Sequence, residues 1–133
     1  MSSPAGTRVL VVEDDANVRG LLQTLLDAEG YQVSTASDGL AGLIKASSAR
    51  PGLMLLDLMM PDLGGARVLE ELHSDPLLSG VPVIVVTGKV EAVPDLRRSL
   101  GEQNVFVKPF EVDALLARVA TLTGGPHPEG GIA

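Results

Sequence analysis

Three apolar runs in this chain each stop on a residue that carries charge. Val9-Leu10-Val11-Val12 leads into Glu13-Asp14, Leu53-Met54-Leu55-Leu56 into Asp57, and Val105-Phe106-Val107 into Lys108-Pro109. A short continuous apolar run bounded by polar or turn residues reads as a fully buried strand of a parallel sheet. In an open parallel sheet the ligand crevice lies at the carboxyl ends of the strands, where the strand order reverses. The pattern therefore predicts three carboxylates and one ammonium on a single rim. That grouping suits a hard divalent cation and phosphoryl chemistry.

Bulk composition narrows the partners. Ten Lys and Arg stand against 17 Asp and Glu, a formal net charge of −7, which disfavours nonspecific attraction to nucleic acid or to anionic membrane. The 133 residues include no cysteine, so neither a disulfide framework nor a thiolate zinc site is available, as fits a reducing compartment. No apolar run approaches the ~18 residues of a membrane span, and the start of the chain lacks a signal peptide's basic and apolar segments. The expectation is a soluble, cytoplasmic, single-domain protein.

Strand-like runs alternate with helix-period segments. Val18, Leu21, Leu22, Leu25 and Leu26 recur at helical spacing, and Gly30 can close that helix. Residues 31–36 read as a short strand, and Asp38 as the N-cap of a helix carrying Leu40, Leu43 and Ile44. A Pro/Gly loop (Pro61, Gly64, Gly65) follows the Asp57 strand and precedes a helix over residues 66–74. Pro82 opens a strand over 83–87, and a short helix starts near Pro94 and stops at Gly101. The last strand ends at Lys108, and Val112, Leu115, Leu116 and Val119 mark the last helix. The result is an α/β fold of five βα units, with a five-stranded parallel sheet and helices on both faces. Residues 1–6 are expected to be disordered, and 7–123 to form the domain. Residues 124–133, six of them Gly or Pro, are expected to form a tail or linker.

Asp57 is the leading candidate for chemistry. An isolated aspartate after a strand is usually a turn or cap residue, but Glu13 and Asp14 end the neighbouring strand. Clustered like charges raise one another's pKa unless a cation holds them. Mg²⁺ is the natural guest, because it takes one or two carboxylates together with phosphate oxygens and waters. Asp15 reads instead as a solvated helix start. Lys108 supplies the complementary charge, to pair with Asp57 at rest or with a phosphoryl oxygen. Pro109 permits a cis bond that would re-aim it. Thr87 ends the fourth strand and can offer a hydroxyl. His73 and His127 read as exposed and without a role.

Together, Val-Val-Glu13-Asp14, Leu-Asp57-Leu-Met-Met-Pro61 with Gly65, Val-Val-Thr87-Gly88 and Val-Lys108-Pro109-Phe110 resemble the receiver domain of bacterial two-component response regulators. The resemblance spans roughly residues 7–122 and implies a flavodoxin-like sheet of order 2-1-3-4-5. It implies that Asp57 accepts a phosphoryl group from a histidine kinase or phosphotransfer protein. Glu13, Asp14, Asp57 and the backbone carbonyl of Met59 would hold Mg²⁺, and Thr87 and Lys108 would bind the phosphoryl oxygens. It also implies a signalling protein that catalyses only its own phosphorylation and slow dephosphorylation. Such a protein switches a downstream protein effector, contacts no nucleic acid or membrane directly, and is a monomer or weak dimer. Lys89 and Met59 fall where the family tunes the lifetime of the phosphoryl group.

The chain departs from that pattern on one side. The family commonly carries an aromatic three residues before the lysine, and here Val105 stands there. Phe106 could replace it only through a bulge or a one-residue slip. The stretch between Thr87 and Gly101 is also short, which predicts an output signal routed through a loop over residues 88–94. The rival within the fold is a receiver-like interaction module that works without phosphorylation. A phosphohydrolase of the haloacid dehalogenase type would need a second acid where Met59 stands. A flavodoxin would need a hydroxyl-rich loop where this chain has three acids, and more than 2% aromatic residues.

Overall fold

A computed structural model describes residues 6–59 and 65–125. Five strands alternate with five helices: β1 (Arg8–Val12), α1 (Ala16–Glu29), β2 (Gln32–Ala36), α2 (Gly39–Ser48), β3 (Leu53–Asp57), α3 (Gly65–Ser74), β4 (Val83–Thr87), α4 (Val93–Leu100), β5 (Val105–Val107) and α5 (Val112–Thr123). All four strand pairings are parallel and the order is β2-β1-β3-β4-β5, the flavodoxin-like arrangement that the resemblance implies. Residues 1–5, the loop holding Pro61 and Gly64, and the expected tail from residue 126, His127 included, lie outside the described residues.

Alternation along the strands sorts their apolar side chains into two layers. Leu10, Val12, Met54, Leu56 and Val85 meet Ala46 of α2 and Val68, Leu69 and Leu72 of α3. On the opposite face Val9, Val11, Leu53, Leu55, Ile84 and Val86 meet Leu22 and Leu26 of α1 and Leu115 and Val119 of α5. Each fully buried Leu or Val contributes roughly 1.5–3 kcal/mol, so the central strands are held rigidly. Helix α2 sits especially close to β1, since a Cβ on Gly42 would come within 2.8 Å of Val12 Cγ2.

The helix ends follow their local chemistry. Asp15 caps α1 by accepting from the backbone N–H groups of Asn17 (2.8 Å) and Val18 (3.1 Å), as its reading as a helix start requires. Gly30 ends that helix at φ 100°, a left-handed conformation that glycine adopts without strain. Asp38 caps α2 through the N–H of Ala41 at 2.8 Å. Small differences from the sequence reading occur at strand ends. Tyr31 N–H is taken by Leu26 O in the turn closing α1, so β2 begins at Gln32. Lys108 lies just past β5, although its N–H still donates to Thr87 O at 2.9 Å.

Candidate functional site

The carboxyl ends of β1, β3, β4 and β5 bring the expected residues to one rim. Glu13 follows β1 and extends its ladder, its N–H donating to Ala36 O at 3.0 Å. Asp57 is the last residue of β3 and Thr87 the last of β4. These three are the buried polar residues among those described. Asp14 is exposed, yet Glu13, Asp14 and Asp57 each offer a carboxylate oxygen within 4.8 Å of the others. Lys108 reaches in from the end of β5, its Nζ 3.0 Å from Glu13 Oε1 and 3.5 Å from Asp57 Oδ2.

Backbone amides hold the acids in place. Asp15 N–H donates to Glu13 Oε2 at 3.2 Å, and Met59 N–H donates to Asp57 Oδ1 at 3.1 Å. The Met59 side chain is exposed beside the site. Thr87 Oγ1 accepts from Lys89 N–H at 2.9 Å, which leaves the hydroxyl proton free to donate elsewhere.

Charge balance at the rim is incomplete. Burial pushes the Glu13 carboxyl up to about 7, aided by proton sharing with Asp57 and by its charge, while the bond to Lys108 pulls the other way. Burial alone would lower the pKa of Lys108, but the bond to Glu13 and the charge of Asp57 outweigh it and raise the value. One ammonium thus serves two buried carboxylates with a third close by. An all-oxygen donor set short of positive charge fits a hard divalent cation such as Mg²⁺.

The departures at β5 are equally plain. The β4–β5 register runs unbroken, Val85 to Val105, Val86 to Phe106 and Thr87 to Val107, so no bulge brings Phe106 into the place of Val105. Val105 is buried and shares the face of Val85, whereas Phe106 packs with the α1 and α5 layer. Pro94 lies in the first turn of the eight-residue α4, which a short 3₁₀ turn at Val90–Ala92 precedes. A groove of about 640 Å³ runs along β5 and α5, lined by Arg97, Phe106, Phe110 and Arg118 among others, and includes none of Glu13, Asp14 and Asp57.

Arg19 is a residue that the sequence reading passed over. Its Nη1 donates to the backbone carbonyls of Glu13 at 2.9 Å and Asp14 at 3.2 Å. Its position five and six residues beyond the acids, at the end of the first turn of the helix they lead into, is the signal that could have drawn attention to it.

The family model for the response regulator receiver domain matches residues 9–120. This chain belongs to the response regulator receiver family. Among similar proteins, the DNA-binding response regulator MtrA of Mycobacterium tuberculosis is 38% identical over 113 residues, covering 84% of this chain and 48% of that protein. Response regulator PleD of Caulobacter vibrioides is 41% identical over 120 residues, covering 87% of this chain and 26% of that protein. The chain therefore spans half or less of the length of these curated relatives. Among solved structures, chemotaxis protein CheY4 of Vibrio cholerae superposes with a TM-score of 0.79 at 27% identity, covering 89% of this chain and 99% of that one. A CheY-like receiver domain protein of Methanospirillum hungatei gives 0.76 at 30% identity, covering 86% of this chain and 91% of that one. The described receiver residues include no helix long and apolar enough to cross a membrane.

Proposed function

We propose that this receiver is phosphorylated on Asp57 by the phosphohistidine of a histidine kinase or phosphotransfer protein, and that the modification switches its affinity for a downstream protein. The observation that carries this reading is the cluster at the rim. Three carboxylate oxygens lie within 4.8 Å of one another, and the Lys108 ammonium lies 3.0 and 3.5 Å from two of the acids. Glu13, Asp14, Asp57 and the backbone carbonyl of Met59 would hold Mg²⁺. When bound, the ion supplies positive charge that neutralises the acids and the equatorial oxygens of the phosphoryl group.

Asp57 is a weak nucleophile, so the site works by positioning and charge rather than by activating a base. One carboxylate oxygen of Asp57 forms a bond to phosphorus as the N–P bond of the phosphohistidine breaks. The bonding pair returns to the imidazole nitrogen of the donor. Lys108, paired with Asp57 at rest, then follows a phosphoryl oxygen, and Thr87 donates its free hydroxyl proton to another. The added group brings roughly −1.5 to −2 charges into a packed rim.

Lys89 N–H is bonded to the Thr87 hydroxyl, so any shift of that oxygen moves the expected 88–94 output loop. The structure forms that loop as a short link, a 3₁₀ turn at Val90–Ala92 and the start of α4. With Val105 in the aromatic's place and no bulge in β5, this loop is the route we assign to the output signal. A changed backbone over 88–94 on adding a phosphoryl mimic supports the route, and an unchanged one rejects it. The phosphorylation itself is tested with acetyl phosphate, Mg²⁺ and intact mass. One base-labile phosphoryl group is expected, dependent on Mg²⁺ and absent from Asp57→Asn. Label that persists in Asp57→Asn would place the acceptor elsewhere.

A further inference from the structure

We propose that Arg19 is a positioning residue for the Mg²⁺ site: its guanidinium clamps the carbonyls of Glu13 and Asp14 so that their carboxylates converge on Asp57. This deepens the phosphorylation reading and rests on it.

The need for such a clamp follows from the sequence at the end of β1. Glu13, Asp14 and Asp15 are consecutive acids, and each is required to do something different. Glu13 is buried and Asp14 exposed, yet both bring an oxygen to the same cluster, while Asp15 turns away to cap α1. Mutual repulsion favours splaying the first two apart, and beyond Glu13 the strand ladder no longer holds the chain. Two N–H groups on one Arg19 nitrogen supply the missing restraint, one to each carbonyl (2.9 and 3.2 Å).

The base of the arm is fixed. Arg19 N–H donates to Asp15 O at 2.9 Å in the first turn of α1, and Leu22 and Leu26 of that helix are buried in the core. The clamp thus ties the acidic loop to a rigid element rather than to solvent. Its choice of partner is informative. Among the described residues Arg19 forms no ion pair, although three carboxylates lie within six residues of it in sequence. A guanidinium spent on main-chain oxygens orders the loop without neutralising the acids that a metal would need. Arginine suits this use because it stays charged and its donors form a rigid fork.

Electrostatics and positioning predict opposite signs, which makes the test decisive. Removing a cation near a cation site should tighten Mg²⁺ binding if charge is all that Arg19 contributes. Removing a clamp should weaken it, by about tenfold, the low end of the range for groups that orient metal ligands. Mg²⁺ affinity is measured calorimetrically on the unphosphorylated protein, alongside thermal unfolding without metal and the Mg²⁺ dependence of acetyl phosphate labelling. For Arg19→Ala we expect about a tenfold rise in the Mg²⁺ Kd and in the labelling midpoint, with the labelling rate at saturating Mg²⁺ within about twofold of wild type. Arg19→Lys, which can reach the carbonyls with a single ammonium, should recover part of the affinity.

An unchanged or tighter Mg²⁺ Kd in a folded Arg19→Ala protein overturns the proposal. If Arg19→Ala does not fold, Arg19→Lys and Arg19→Gln carry the same comparison, and wild-type affinity in both overturns it. Failure of the underlying reading looks different, because wild type itself would then neither bind Mg²⁺ nor take up label.

Discussion

The two ends of the parallel sheet are built from different materials. At the carboxyl rim the strands deliver Glu13, Asp57 and Thr87, all buried, with Lys108 drawn between two acids. At the opposite end no buried acid is gathered. Arginines there reach only neutral oxygens or an exposed acid (Arg50 Nε to Leu77 O at 2.9 Å, Arg97 Nε 3.8 Å from Glu102), and several contacts are neutral. Thr7 Oγ1 donates to Gly125 O at 3.1 Å, the Tyr31 and Thr123 hydroxyls lie 3.4 Å apart, and Gly52 N–H donates to Arg8 O at 2.8 Å. These neutral contacts satisfy their polar groups at little desolvation cost. The rim instead crowds like charges away from water, which a fold selected for stability alone would avoid. The difference points to function: buried like charges gather at the end where a ligand can relieve them.

The sharpest way to break this comparison is pH. The Glu13 carboxyl is raised from 4.5 to about 7, so the folded state favours its protonated form. The associated stability is fully present below the unfolded value and is lost as pH rises through the folded one. Between those limits the unfolding free energy of wild type should fall relative to Glu13→Gln, which mimics the protonated form, by about 3 kcal/mol in total. Urea unfolding at half-unit pH steps checks it. Parallel curves for the two proteins would mean that the rim is not strained.

Mg²⁺ should sharpen the contrast by relieving the rim alone. At pH 8 and a concentration tenfold above its Kd, the ion is expected to stabilise wild type by about 1.4 kcal/mol, and Asp57→Asn by less. Differential scanning fluorimetry with and without Mg²⁺ reads this, and equal shifts in both proteins would detach the ion from Asp57.

The smallest effect is expected at the other end. Tyr31→Phe removes only a long hydroxyl contact and should cost no more than about 0.5 kcal/mol. It should leave the pH dependence and acetyl phosphate labelling as in wild type. Altered labelling would show that the two ends are coupled.

Much of this arrangement was legible in the residues. A fully buried strand announces itself as an apolar run, and the next residue must then sit at its rim. That rule placed Glu13, Asp57, Thr87 and Lys108 without any tertiary information. Asp15 and Gly30 were readable for a related reason, since caps are local chemistry. Arg19 was not. A long flexible side chain can reach many partners, and its partners here are backbone oxygens that no side-chain pattern marks. The role of Phe106 also needed coordinates, because only the strand register decides whether β5 bulges. Met59 was not readable from the residues: its N–H holding Asp57 is seen only in the structure, and the assignment of its carbonyl came from family likeness.

The close seating of α2 on β1 reaches further than packing. Gly42 lies against Val12 with no room for even one methyl group, and Val12 is the residue immediately before Glu13. A helix that contributes no atom to the chemistry therefore sets the height at which the first acid leaves the sheet. Any side chain acquired at position 42 would be transmitted through a stiff, β-branched neighbour straight into the geometry of the acidic cluster. The freedom of this protein to diversify its second helix ends at that one hydrogen atom.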